Sequence, residues 1–192
     1  MGSRLEGKVA IVTGAGTRGD GIGNGKACAF VYAREGARVL AADVDMGLAE
    51  ATAEMIRAEG GTCIPFRADV SRSEDCRALT EACIKSFGRI DVLHNNVGIT
   101  NSGGPVEYAE EQWDRMMNVN AKSMFLTAKH ALPHMELQGS GSIVNIGSIA
   151  STGGIPGRNA YCAAKAGVLG MTRALATEWA RQGIRVNAVA PG

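Results

Sequence analysis

The chain has 192 residues, 45% apolar and 20% charged, a balance that excludes disorder and fits a single domain at roughly 150 residues per domain. Twenty Lys and Arg against 19 Asp and Glu leave a net charge of +1, with no electrostatic pull toward nucleic acid or an anionic membrane. No apolar run approaches the roughly 18 residues that span a bilayer, and Met1–Gly7 carries no signal-peptide core, so a cytoplasmic protein is expected. The five cysteines, Cys28, Cys63, Cys76, Cys83 and Cys162, have no CxxC or Cys/His ligand spacing. They read as thiols in a reducing compartment, with no disulfide scaffold and no metal site. Glycine is the outlier at 26 residues, about twice its usual share.

Taken in chain order, Val9–Thr13 is a β-branched apolar run, a first strand, followed by glycine-rich sequence and a helical pattern from about Gly23 to Glu35. Arg38–Ala42 is a second strand and Leu48–Glu59 a helix. Cys63–Arg67 reads as a weaker third strand, and Ser73–Phe87 as a helix capped by Ser73. Asp91–His94 is a fourth strand, and a long helical stretch from about Glu110 to Gln138 follows, interrupted at Pro133. Ser142–Ile146 is a fifth strand, Ala160–Gln182 a long helix with Asn159 as its cap, and Arg185–Ala190 a sixth strand. Strands alternating with helices predict βαβ units and a doubly wound parallel sheet, Rossmann-like, in three α/β/α layers. Residues 1–192 form one such domain. Its ligands are expected beyond the C-terminal ends of the strands.

At the end of the first strand stands Gly14-Ala15-Gly16-Thr17-Arg18-Gly19-Asp20-Gly21-Ile22-Gly23, directly before a helix. A glycine-rich turn at a helix N-terminus presents free backbone N–H groups and the positive end of the helix dipole, which suits a pyrophosphate. No Gly-Lys-Ser/Thr follows, so a P-loop is excluded. Asp43, at the end of the second strand, is placed to accept hydrogen bonds from an adenosine ribose and to repel a 2′-phosphate, so NAD is expected in preference to NADP. The bland reading of Asp43 is a cap on the next helix. Arg18 pulls the other way, since a guanidinium in this loop attracts an extra phosphate.

Tyr161 and Lys165 lie four residues apart at the start of a helix and therefore share a face, about 6 Å apart along the axis. A free phenol titrates near 10, and a neighbouring ammonium favours its phenolate. Ser148, just beyond the fifth strand, can hold a substrate carbonyl oxygen while a tyrosine donates or accepts the proton. Taken singly, each of these residues is more often a turn or surface residue.

Taken together, Thr13-Gly14 with Gly21-Ile22-Gly23, Asp69-Val70, Asn95-Asn96-Val97-Gly98, Asn120, Ser148, Tyr161-Cys162-Ala163-Ala164-Lys165 and Pro191-Gly192 follow one another in the order of a known family. The chain resembles the short-chain dehydrogenases/reductases, in their compact, non-extended branch, over essentially its whole length. The resemblance implies a catalytic set of Asn120, Ser148, Tyr161 and Lys165. Tyr161 would be the general acid/base, and Lys165 would favour its phenolate and bind the nicotinamide ribose. Ser148 would orient the substrate oxygen, and Asn120 would hold a water linking Lys165 to solvent. For the cofactor, NAD, it implies contacts from Gly14, Gly16, Arg18, Gly21 and Ile22 in the loop, from Asp43, and from Asp69 and Val70 at the adenine. Asn96, Val97 and Gly98 would line the adenosine ribose, and Tyr161, Lys165, Pro191 and Gly192 would complete the site. A homotetramer or dimer is implied as well.

The loop departs from the family pattern in having six residues, Ala15 through Asp20, between its first glycine and Gly21-Ile22-Gly23, where three are usual; Val97 replaces a common alanine. Family members also continue past the Pro-Gly, so the resemblance implies a longer natural protein with its C-terminal end missing here. The expected activity is hydride transfer between NAD and a secondary alcohol or ketone. Its rivals are an NADPH-dependent reductase of 3-oxoacyl groups on an acyl-carrier protein, and a nucleotide-binding fragment without catalysis. The loops Thr100–Val106 and Ser151–Arg158 name no substrate.

Overall fold

The computed structural model describes residues 3–19 and 21–192; Met1 and Gly2 of the N-terminal start, and Asp20 at the end of the loop insertion, lie outside the described residues. Six parallel strands, β1 (Val9–Thr13), β2 (Arg38–Asp43), β3 (Cys63–Arg67), β4 (Val92–Asn95), β5 (Gly141–Ile146) and β6 (Ile184–Val189), form one sheet. Its order is β3-β2-β1-β4-β5-β6. The chain winds outward from β1 to β3, returns to β4 beside β1, and winds the other way. The C-terminal ends of β1 and β4 therefore part company and open a crevice between them. This is the Rossmann-like, doubly wound fold.

The helices are α1 (Asn24–Arg34), α2 (Met46–Ala58), α3 (Ser73–Phe87), α4 (Glu110–Met117), α5 (Ser123–Gln138) and α6 (Asn159–Trp179). Strand alternation sorts the core into two halves. Val12, Val39 and Ala41 face α1 and α2 through Ala29, Ala33, Ala53 and Ile56. Ile11, Leu40, Leu93 and Ile143 face α3 and α5 through Leu79, Cys83, Leu126 and Met135. Each of the larger fully buried side chains is worth about 2 kcal/mol in removed apolar surface. β3 is an edge strand, which is why Pro65 is tolerated in it.

Three local expectations need correction. Ser73 is the first residue inside α3, with Arg72 at the N-cap, and its hydroxyl bonds His130 Nε2 at 3.0 Å. Asn159 likewise lies inside α6, behind Arg158 at the N-cap, although its Oδ1 does accept from the Ala160 N–H at 2.7 Å. Pro133 does not interrupt its helix, because it sits on the exposed side of α5, where the carbonyl it leaves unpaired can meet solvent. The irregularity comes earlier, as a π-helical turn over Asn118–Lys122 between α4 and α5. Such a turn carries an extra residue and re-aims side chains.

Candidate functional site

The chain leaves β1 through Gly14, whose φ of +62° suits glycine, and a Cβ there would press on Asn96 Nδ2 and Val97 Cγ2, both at 3.1 Å. The loop then folds onto the end of β2. The Ala15 N–H donates to the Ala42 carbonyl at 3.0 Å, and the Gly16 N–H donates to Asp43 Oδ2 at 2.9 Å. The Gly23 N–H donates to Thr17 Oγ1 at 2.8 Å, closing the loop before α1. Gly23 is the N-cap of α1 and has no side chain to satisfy the amides of the first turn, which face the crevice with the helix dipole behind them.

Asp43 is not the cap of α2. That role belongs to Asp45, whose Oδ1 accepts from the Gly47 N–H at 3.0 Å. Asp43 instead holds the loop with Oδ2 and accepts from the Asp45 N–H at 3.1 Å with Oδ1. Across the crevice, Asn96 Nδ2 donates to the Gly14 carbonyl at 3.0 Å and ties the ends of β1 and β4 together. Asp69 Oδ1 accepts from Ser71 N–H at 3.0 Å and from its hydroxyl at 2.6 Å.

These elements enclose a cleft of about 890 Å³ lined by Gly14, Gly16, Arg18, Asp43, Asp69, Val70, Asn96, Val97 and Gly98. Gly21 and Ile22 do not line it. Ile22 is 62% exposed.

Ser148, Tyr161 and Lys165 are not among the residues lining this cleft, but Gly98, which lines it, stands beside Lys165. A Cβ on Gly98 would stand 2.9 Å from Asn120 Oδ1, too close without a shift, and 3.5 Å from Lys165 Nζ, so a side chain there would crowd Asn120. Asn120 is fully buried; its Oδ1 accepts from the Ile99 N–H at 3.1 Å and its Nδ2 donates to the Ile99 carbonyl at 3.0 Å. Lys165 is buried too, and Nζ donates to the Ile146 carbonyl at 2.6 Å. Loss of hydration there pulls its ammonium down to about 8. The same Nζ lies 5.8 Å from the centroid of the Tyr161 ring, which packs with Met116, Ala160 and Ala164. Ser148 Oγ accepts from the Ala150 N–H at 3.2 Å, so its own proton is free to donate. Pro191 joins this end, because its carbonyl accepts from the Ile149 N–H at 2.9 Å. Gly192 follows it at the chain end.

Two features of the site were not singled out from the sequence. Gly25, in the first turn of α1, is the close-approach glycine: a Cβ there would fall 2.0 Å from the Gly14 carbonyl oxygen. A glycine inside a helical pattern, where it costs about 1 kcal/mol against alanine, was the available signal. The other is a buried polar chain crossing the sheet. Thr127 Oγ1 donates to Asn95 Oδ1 at 2.7 Å, Asn95 Nδ2 to Asn145 Oδ1 at 2.9 Å, and Asn145 Nδ2 to Thr172 Oγ1 at 3.0 Å. It locks α5, β4, β5 and α6 into one register beneath the site.

The fold and this cleft define an α/β protein that takes its ligand at the switch point of a doubly wound sheet. Residues 8–192 match the family model for short chain dehydrogenases. The chain is 41% identical over 189 residues to the 3-oxoacyl-acyl-carrier-protein reductase FabG of Thermotoga maritima, covering 98% of this chain and 75% of that protein. It is 44% identical over 189 residues to the 2-(R)-hydroxypropyl-CoM dehydrogenase of Xanthobacter autotrophicus, covering 96% and 74%. A crystal structure assigned to the short-chain dehydrogenases/reductases, from Burkholderia xenovorans, superposes with a TM-score of 0.96 at 45% identity, over 99% of this chain and 76% of that one. The chain belongs to the short-chain dehydrogenase/reductase family, a family of oxidoreductases.

Proposed function

We propose that this chain interconverts a secondary alcohol and a ketone with NAD as the redox partner, Tyr161 acting as general acid/base. The observation that carries this reading is the buried Lys165 ammonium, fixed by the Ile146 carbonyl at 2.6 Å and poised 5.8 Å from the Tyr161 ring centroid. A positive charge in that place favours a phenolate.

The residues fit a dinucleotide. Side chains at Gly14, Gly16 or Gly25 would strike the atoms that shape the cradle: a Cβ on Gly16 would stand 2.5 Å from Leu48 Cβ and 2.8 Å from Asp43 Oδ2. The first turn of α1 would take the pyrophosphate, Asp43 the adenosine ribose, Asp69 and Val70 the adenine, and Lys165 the nicotinamide ribose. When bound, the nicotinamide supplies the hydride acceptor or donor. Ser148 donates its free proton to the substrate oxygen, and Tyr161 takes the alcohol proton or returns it to the ketone. Asn120 fixes the Gly98–Ile99 turn against Lys165, and its Oδ1, across the Gly98 gap from Nζ, supports a proton relay from Lys165 outward.

A second reading, a reductase of 3-oxoacyl groups using NADPH, draws on Arg18 in the cleft and on the Thermotoga maritima relative. Asp43 opposes it by its charge. Self-association as a tetramer or dimer is supported by Trp113 on α4 and Phe125 on α5, which are 40% and 50% exposed. Among the described residues no helix is long and apolar enough to cross a membrane, and the free thiols suit a reducing cytoplasm.

The test is to follow reduced nicotinamide by its absorbance with a panel of secondary alcohols and ketones, with NAD and NADP in parallel. Turnover with NAD and secondary alcohols supports the proposal. Turnover confined to NADPH and acyl thioesters would favour the second reading.

A further inference from the structure

The wall of the cleft after β3 is a strip of four residues, Ala68, Asp69, Val70 and Ser71, that leads into α3. Its backbone is held from several sides. The Ala68 N–H donates to the Asp43 carbonyl at 2.9 Å, and the Asp69 carbonyl accepts from the Arg72 N–H at 2.9 Å. Cys76 Sγ donates to the Val70 carbonyl at 3.3 Å; burial pushes that thiol up to about 12, so it stays a donor. The Asp69 N–H donates to Asp75 Oδ2 at 2.8 Å.

That last bond is not the ordinary work of an acid in the first turn of a helix. At the third helical position a carboxylate supports its own helix, by returning to the N-cap backbone N–H or by meeting the positive end of the dipole. Here the N-cap is Arg72, which makes no side-chain cap bond, and its N–H is already taken by Asp69. Asp75 reaches three residues past the cap to the amide of a residue that lines the cleft. Its neighbour Glu74 brings the same charge to the same helix end but is exposed and, among the described residues, makes no hydrogen bond to the strip.

The turn that carries Asp75 is itself fixed to the next helix, since Ser73 Oγ bonds His130 Nε2 on α5 at 3.0 Å. Asp69 is thereby held at its N–H by Asp75 and at its carbonyl by Arg72, while Ser71 occupies Oδ1 with two donors. Asp69 Oδ2 has no hydrogen-bond partner among the described residues.

We infer that Asp75, which does not itself line the cleft, is the positioning residue of the adenine end: by fixing the Asp69 amide it holds Asp69 Oδ2 where it reads the amino group of the base. A carboxylate oxygen only accepts, so it takes an amino group and repels the oxo group that hypoxanthine carries in the same place. The inference rests on the dinucleotide reading above and adds to it the residue on which base selection depends.

The experiment titrates the full chain calorimetrically with NAD and with its 6-oxo analogue, nicotinamide hypoxanthine dinucleotide. The parent is expected to prefer NAD by about tenfold, the difference between a hydrogen bond to a carboxylate and an unpaired acceptor. Asp75→Ala should weaken NAD several-fold and shrink the preference to about twofold. Asp75→Asn keeps an oxygen for the Asp69 N–H without the charge, and should retain the preference. Glu74→Ala, which removes a charge from the same turn without touching the strip, should retain it too.

A role confined to helix stability would lower both affinities in the same proportion and follow the charge, so that D75N would resemble D75A. That outcome, or a preference unchanged in D75A, overturns the inference. If D75A does not fold, Asp75→Glu takes its place, keeping the charge but moving the oxygens out by one methylene. It is expected to weaken the preference at an unchanged melting temperature, and an unaltered preference overturns the role of Asp75. A parent that binds both dinucleotides equally overturns this inference alone. A parent that binds neither defeats the dinucleotide reading itself, and this inference with it.

Discussion

Replacing Gly25 by alanine separates two physical effects by sign. Helix propensity alone favours alanine by about 1 kcal/mol, so a Gly→Ala change in an open helix stabilises. At Gly25 the new Cβ would fall 2.0 Å from the Gly14 carbonyl oxygen and 2.5 Å from Asn96 Nδ2, where ordinary contact begins at 3.4 Å. The first partner is backbone and has little freedom to swing aside, so α1 must back away by more than an ångström. Overpacking of this kind costs about 1–3 kcal/mol, which the propensity gain only partly offsets. The net expectation is a loss of up to about 2 kcal/mol in urea unfolding, together with about tenfold or more weaker NAD binding because the anion cradle has moved. Gly170→Ala on α6 is the internal control: its Cβ would meet nothing within 4 Å, and it is expected to gain up to about 1 kcal/mol. A Gly25→Ala protein as stable as the Gly170→Ala control and binding NAD normally would refute the close-approach argument.

Further outcomes follow from the same geometry. His94 is buried, shares a 2.9 Å hydrogen bond with the Tyr32 hydroxyl, has no partner for Nε2 among the described residues, and is drawn by burial from the usual 6.5 to about 4. The unfolded chain binds that proton more readily between these values, so the stability is full above pH 6.5 and falls as pH drops toward 4. The loss approaches about 3 kcal/mol, and urea midpoints in His94→Gln should show a shallower fall over the same window. Asp43→Ala should relax discrimination toward NADP and also weaken NAD, since it frees the Gly16 N–H held at 2.9 Å; direct titration of both dinucleotides with unchanged relative affinities would contradict this. Asn145→Ala leaves Asn95 Nδ2 without its acceptor and takes a donor from Thr172 Oγ1 in a buried chain, and should cost about 3 kcal/mol by denaturant unfolding.

What could be read directly from the residues was what depends on local pattern. The strands are short β-branched runs in a sheet covered on both faces, and they stand within a residue or two of their expected places. Tyr161 and Lys165 share a face because spacing on a helix is geometry. Asp43 was legible as the end of β2, but its hold on Gly16 needed the loop's actual path. Other features depend on contacts between distant segments. Gly25 matters because of an atom eleven residues earlier, and Asn145 because of Asn95, fifty residues before it in the chain. The π-helical turn that sends Asn120 into the Ile99 backbone has no local marker, whereas Pro133, the obvious marker, sits where solvent absorbs its effect.

The central claim is that proton transfer runs through Tyr161 while dinucleotide binding is built elsewhere in the cleft. Tyr161→Phe removes one oxygen from a ring that packs with Met116, Ala160 and Ala164, so the fold and the cleft should persist. The decisive measurement is hydride transfer by this variant, with NAD affinity measured on the same sample. The account predicts turnover lowered by about four orders of magnitude with NAD affinity within a few-fold of the parent. Hydride transfer at anything near the parent rate would contradict it.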